Sequence, residues 1–193
     1  MSITETAAAT MVYAIDPKAS TFTAKAFATG VLSMLGHNPT ISIPDIQGEA
    51  RFSSGTLEDA SLRLVAQAAS LVDTDDISKK DRQEIERQMH DEVLEAEGFP
   101  EIIYECPRVS TVQTISDGVF AVSLDGELTL HGATNNQPIT ARVTLNGDLL
   151  RAKGEFSIKQ SDYDIRPVSA VGGTIKLKDE IKLSFDIAAR KQA

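Results

Sequence analysis

Residues 175–187 read Ile175-Lys176-Leu177-Lys178-Asp179-Glu180-Ile181-Lys182-Leu183-Ser184-Phe185-Asp186-Ile187. Apolar side chains fill the odd positions apart from a polar step at Asp179, and polar ones fill the even positions. A period of two sends successive side chains to opposite faces of an extended chain, so a strand with one apolar and one wetted face is expected. Working outward, Phe120, Val122, Leu124, Leu128 and Leu130 repeat the pattern against Ser123, Asp125, Glu127 and Thr129. Gly126 falls on the apolar side, where a bulge or bend is expected, and a long strand that bends points to a barrel. Further strands are expected over Thr21–Ala28, Gly48–Phe52, Ser61–Ala69, Ile102–Val112, Ile139–Leu145 and Leu149–Ile158, about eight in all. Asn146-Gly147 and Asp117-Gly118 lie between alternating runs and tolerate the positive φ of tight hairpins, so neighbouring strands should be antiparallel.

Two stretches break the alternation. Ser78 with Asp81 resembles a capping box, and Ile85, Met89 and Val93 then recur every fourth residue, so one amphipathic helix is expected to end before Gly98 and Pro100. Val31, Leu32, Met34 and Leu35 cluster between Gly30 and Gly36 as a single turn, either packed in the core or serving as a lid. The run Asp73-Thr74-Asp75-Asp76 lacks the glycine turn and distant glutamate of a calcium loop. It is expected to start the helix, where carboxylates favour the positive end of the dipole.

The chain has 193 residues, 41% of them hydrophobic, enough for one core without disulfides or metals. We expect a flexible N-terminus over residues 1–11 and a single barrel domain over residues 12–193. With 28 acidic and 19 basic residues the net charge is −9, which repels phosphate backbones, so no nucleic-acid partner is expected. Cys106 stands alone and cannot form an internal bridge. His37, His90 and His131 have no metal-ligand spacing, so neither a metal nor another cofactor is expected. No run approaches the roughly 18 apolar residues of a membrane span. The opening residues lack a basic start and an apolar secretory stretch, so the chain as given is expected in the cytoplasm.

Small residues fall on inward positions: Ala24, Ala26 and Ala28, then Ala66 and Ala68, then Ala152 and Gly154. With 5% aromatic residues and no Trp, the interior is either open to one ligand or pinched against a packed helix. An open channel would be lined by Phe22, Ala24, Ala26, Leu35, Leu64, Ala66, Phe120, Val122, Leu124, Phe156 and Ile158. His37, Asn38 and Tyr163 are candidate rim contacts to a polar end. Such a lining holds a long hydrocarbon by removing apolar area from water. Two other readings stand beside this carrier. Ser33 and His37 share a spacing that suggests an enzyme acting on an amphiphile at the barrel mouth, with His37 as acid or base, although no nucleophile elbow or orienting acid accompanies them. The third reading is a packed barrel serving as a stress-related interaction module.

Several motifs occur in order along the chain: Tyr13-Ala14-Ile15-Asp16-Pro17 with Ser20; Gly48 and Phe52; and Phe99-Pro100-Glu101-Ile102. Gly126-Glu127-Leu128-Thr129-Leu130-His131-Gly132-Ala133-Thr134 follows, then Phe156-Ser157-Ile158 before Ser161-Asp162-Tyr163, and finally Ile175 through Phe185. Their order and spacing resemble the YceI-like family of lipid-binding proteins over nearly the whole chain from Tyr13. The resemblance implies an extended, antiparallel, lipocalin-like β-barrel with a helix against it, often a homodimer. It also implies binding, storage or transport of a polyisoprenoid or similar long-chain lipid in a central channel, without catalysis. Ala19, Gln160 and Asp164 stand where the family often has His, Arg and Gly. Many relatives are exported.

Overall fold

The structure, a computed structural model, describes residues 9–29, 38–54, 56–167, 169–170 and 175–193. The chain begins with β1 (Thr10–Ile15), β2 (Thr21–Lys25), β3 (Ala28–Thr29), β4 (Thr40–Ser42), β5 (Ile46–Ser53), β6 (Ser61–Gln67) and β7 (Val72–Asp73). Helix α1 (Lys79–Gln88) follows and continues as one π turn over Met89–Val93. The remaining strands are β8 (Glu101–Cys106), β9 (Val109–Ser116), β10 (Val119–Leu130), β11 (Ala133–Asn146), β12 (Leu149–Lys159), β13 (Ser169–Ala170), β14 (Ile175–Leu177) and β15 (Glu180–Lys191).

The ring β1-β5-β6-β8-β10-β11-β12-β15 closes through the pairs Tyr13↔Lys191 to Ile15↔Ala189, giving an eight-stranded antiparallel barrel. Two long strands change partner along their length. On β15, Ala189 to Lys191 face β1, whereas Lys182 to Asp186 face β2, which carries β4 and β7 onward. On β10, Glu127 to Thr129 pair with β8, and Val119 to Leu124 pair with β9. A small sheet of order β13-β14-β3 stands apart. No helix among the described residues is long and apolar enough to cross a membrane.

The hairpins form where turn chemistry places them, with Gly118 at φ 67° and Gly147 at φ 58°. A third turn, His131-Gly132, joins β10 to β11 with φ 50° and 77°, the positive pair of a tight hairpin. Ser78 caps α1 as expected: its Oγ accepts the Asp81 N–H at 3.1 Å and donates to Asp81 Oδ2 at 2.7 Å.

Several expectations are corrected, among them the strand Thr21–Ala28, which splits into β2 and β3 in different sheets. The run Ile102–Val112 is two strands, broken at Pro107-Arg108, because proline has no N–H to give a ladder. Ile175 to Leu177 leave the barrel for the small sheet, so the polar step at Asp179 is a change of sheet. The acidic run stops short of the helix and ties strands together instead: Asp75 Oδ2 accepts the Thr40 N–H at 2.8 Å, and Asp73 Oδ1 accepts the Asp75 N–H at 2.8 Å. Thr10 and Met11, assigned from sequence to the terminal segment, pair with Ser53 and Phe52 in the barrel wall.

Gly126 makes no bulge. It pairs in register with Gln137, and the register shifts lie between Val119 and Phe120 and between Ser123 and Leu124. A Cβ at Gly126 would sit 2.6 Å from the Tyr104 ring and from the Glu105 carbonyl, so the glycine makes room for that aromatic. Tyr104 is buried and its hydroxyl donates to the Gln137 carbonyl at 3.1 Å. Gly126→Ala is expected to cost about 1–3 kcal/mol in urea unfolding. Combining it with Tyr104→Leu should lower that increment, because the shorter side chain yields.

The buried side chains form two clusters. One contains Ile41, Ile43, Leu128, Ile158 and Leu183; the other contains Tyr13, Phe52, Leu57, Val143 and Leu150. Leu124 and Phe185 pack against both, half-buried between them.

Candidate ligand cavity

On β12, β15 and β10 an inward side chain at mid-strand is less buried than inward neighbours on either side of it, whereas on β11 the mid-strand residues Ile139, Ala141 and Val143 are buried. On β12, Leu150 and Ile158 are buried while Ala152 and Phe156 between them are half-buried. On β15, Leu183 and Ile187 are buried and Phe185 between them is not; on β10, Leu124 is half-buried between Val122 and Leu128. A close-packed interior with few voids would bury these inward side chains as well. These side chains stay accessible because they border a hollow of about 520 Å³. That lies in the range of roughly 300–1,000 Å³ typical of ligand sites.

The lining runs from Leu150 to Ile158 on β12 and from Ile181 to Ala189 on β15. At about 3.3 Å per residue this is roughly 26 Å of strand, and a tilt of about 40° leaves an axial depth of roughly 20 Å. Phe22, Phe156 and Phe185 group on one wall with ring centroids 6.1, 6.3 and 6.4 Å apart. Phe52, Leu57, Ala60 and Val109, all buried, floor one end. Tyr13 backs that floor, stacked on Phe52 at 5.2 Å with its hydroxyl donating to the Gly147 carbonyl at 2.8 Å. At the opposite end the lining passes to Ala26, Pro39, Ile85, Gln88, Met89 and Lys176. Of these, Lys176 is exposed.

Polar lining is sparse: Ser61, Gln88, Tyr104 and Gln160, with Lys176 the one charged residue and no carboxylate among the described residues. Gln160, 5% exposed, is tied to the wall by an Nε2–H that donates to the Lys178 carbonyl at 3.0 Å. Burial first, then the neighbouring Cys106, pushes the Tyr104 phenol well above its ordinary range and keeps it neutral. Behind the wall, burial likewise raises the Cys106 thiol, which donates to the Arg108 carbonyl at 3.1 Å. No cluster of three or more metal-ligating side chains occurs among the described residues.

Of the residues named from sequence, Phe22, Ala24, Ala26, Leu64, Ala66, Val122, Leu124, Phe156 and Ile158 line the hollow. Phe120 is a correction: it packs against the second cluster and stays outside the lining. Tyr163 is another. It is 2% exposed within the first cluster, away from any rim, and its carbonyl lies 3.2 Å from His131 Nδ1. Asn38 is exposed and holds the start of β3, its Oδ1 accepting the Ala28 N–H at 2.8 Å. Ser33, Leu35 and His37, with the expected turn around them, lie outside the described residues. His131 belongs to its turn, with Nε2 2.7 Å from Glu95 Oε2 and its ring 4.5 Å from Phe99. Ile41, Ile43, Gln88, Gln160 and Lys176 were missed as lining residues. Asp164, standing where the family often has Gly, is left-handed at φ 57°, a conformation aspartate tolerates better than most side chains.

A family model described as the YceI-like domain matches residues 13–189. The chain belongs to the YceI-like family. Among solved structures, Burkholderia cenocepacia BcnA superposes with a TM-score of 0.66 at 16% identity, covering 90% of this chain and 98% of its own. A polyisoprenoid binding domain from Saccharophagus degradans, implicated in plant cell wall breakdown, gives 0.66 at 14% identity over 93% and 98% of the two chains. The YceI protein of Campylobacter jejuni gives 0.56 at 15% identity over 79% and 85%. At these identities the likeness establishes a shared YceI-like fold and leaves function to the site. A search of curated proteins gives no match.

Proposed function

We propose that this YceI-like barrel binds one long-chain amphiphile, a polyisoprenoid or a fatty chain, and stores or transports it unchanged. The observation that carries the reading is the hollow of about 520 Å³ beside Phe185, Leu124 and Phe156, which stay half-buried on the inward faces of their strands. An aliphatic wall of this kind gains about 25 cal/mol for each Å² of hydrocarbon removed from water. The polyisoprenoid binding domain of Saccharophagus degradans, which has the same fold, supports the choice of ligand class. An enzyme would need an acid or base on the wall. The titratable lining groups among the described residues are Tyr104, neutral and bonded to Gln137, and the exposed Lys176. A packed interaction module is disfavoured by the hollow itself.

The test has two arms. Organic extraction of freshly purified protein, read by mass spectrometry, should yield a long-chain species. Titration with alcohols of about 10 to 20 carbons should then give roughly fourfold tighter binding per added CH₂, from about 0.8 kcal/mol each. The gain should stop near 16 carbons, because an extended chain with bonds of about 1.5 Å advances roughly 1.25 Å per carbon along a depth of roughly 20 Å. Protein that yields no long-chain species and takes up no alcohol saturably would overturn the reading.

A further inference from the structure

We propose that the bound amphiphile carries an anionic head, a carboxylate or a phosphate ester, seated at Lys176 in the cavity mouth; this rests on the carrier reading above. The lining drawn from a chain of 28 acidic residues contains no carboxylate among the described residues, and its single charge is this lysine. Lys176 sits in the middle of β14, between neutral Thr29 on β3 and neutral Ser169 on β13. The residue is exposed and borders the hollow. Two lysines on the outer barrel face are paired: Lys153 lies 2.9 Å from Asp186 Oδ2, and Lys182 lies 2.8 Å from Glu155 Oε2. Among the described residues Lys176 has no such ion pair.

On the helical side of the lining, Gln88 donates Nε2–H to Glu84 Oε1 at 3.0 Å, and Arg87 holds the same carboxylate at 2.8 Å. Glu84, the acid bonded to that lining glutamine, is therefore already compensated by Arg87. The net charge of −9 opposes anions at long range, but at physiological ionic strength fields fade over about 8 Å, so the local lysine decides at the mouth. An anionic head placed there keeps part of its water while the chain occupies the dry wall, which avoids the cost of burying a charge. The competing physical role is a stem that merely covers the apolar rim while its ammonium stays in water.

The experiment compares hexadecanoate, hexadecyl phosphate and hexadecanol, each below its micelle concentration at pH 8, as competitors of a fluorescent long-chain probe. Wild-type protein, Lys176→Met and Lys176→Arg are measured at low and high salt. Methionine keeps an apolar stem without charge, and arginine keeps the charge. The expected result is that the anions bind about threefold to fivefold more tightly than the alcohol, the range of a partly exposed ion pair. Lys176→Met and high salt should erase that preference, and Lys176→Arg should keep it. A preference confined to hexadecanoate or to hexadecyl phosphate identifies which head the mouth takes. Equal binding of all three by the wild type, or a preference that survives Lys176→Met, overturns the anionic head and leaves the carrier reading standing. Binding of none overturns both.

Discussion

Placing phenylalanine at both Ala24 and Ala152 is expected to stabilise the barrel while weakening its hold on a long chain. Ala24 on β2 lies between Leu183 and Ile41, and Ala152 on β12 lies between Ile187 and Val143. Both alanines are half-buried and border the hollow. In a close-packed interior each added ring would force neighbours off their rotamers at a cost of about 1–3 kcal/mol. Here the rings enter empty space and remove apolar wall from water. A gain of about 1 kcal/mol each is expected, which for a chain of this size is a rise of roughly 2–4 °C in Tm per substitution. Displacing about four methylenes of ligand at about 0.8 kcal/mol each weakens a sixteen-carbon chain by more than about 100-fold. Thermal unfolding and the competition titration read the two effects on one preparation. A fall in Tm for the double variant would mean that the interior is full.

The sequence makes this fold legible wherever one strand face is dry and the other wet. The odd positions from Ile181 to Ile187 and the even positions from Val122 to Leu130, Gly126 aside, face inward as the alternation requires. It hides β1, because Met11, Val12, Tyr13, Ala14 and Ile15 are apolar without alternation and so carry no period. It hides the departure of β14 from β15 for a related reason: Lys176, Lys178 and Lys182 share one phase and read as one solvent face. The structure separates them. Lys182 pairs with Glu155 on the outer wall, and Lys176 borders the cavity. Ala24, Ala26, Ala66 and Ala152 border the hollow as their small size suggested. Ala28, Ala68 and Gly154, expected to leave space in the same way, do not, and Gly126, expected to make a bulge or bend, pairs in register. A Cβ at Gly154 would meet the Phe185 ring at 2.6 Å, so both glycines answer to an aromatic on a neighbouring strand, a partner set only by tertiary pairing. Tyr163 misled because its hydroxyl suggested a rim, but its ring is needed in the core.

The second large effect concerns the floor. Phe52→Ala is expected to cost about 3–5 kcal/mol in the absence of ligand, the range for truncating a buried aromatic whose surroundings relax only in part. Phe52 is 3% exposed, and its stacking partner cannot follow it inward. Tyr13 is held by its hydroxyl on the Gly147 carbonyl and by its backbone pairs with Ala50 and Lys191. The vacated volume therefore adds to the channel. Removing the phenyl ring opens roughly 4 Å, enough for about three more carbons, so the length at which affinity stops rising should move from about 16 to about 19. Ligand linkage gives a second readout. At a free concentration of 100 times Kd a bound chain restores about 2.7 kcal/mol, and in this variant an eighteen-carbon chain should restore more than a fourteen-carbon chain at equal free concentration. Loss of stability with no shift in the limiting length would show that the chain end does not reach Phe52, and that the closed end of the channel lies elsewhere.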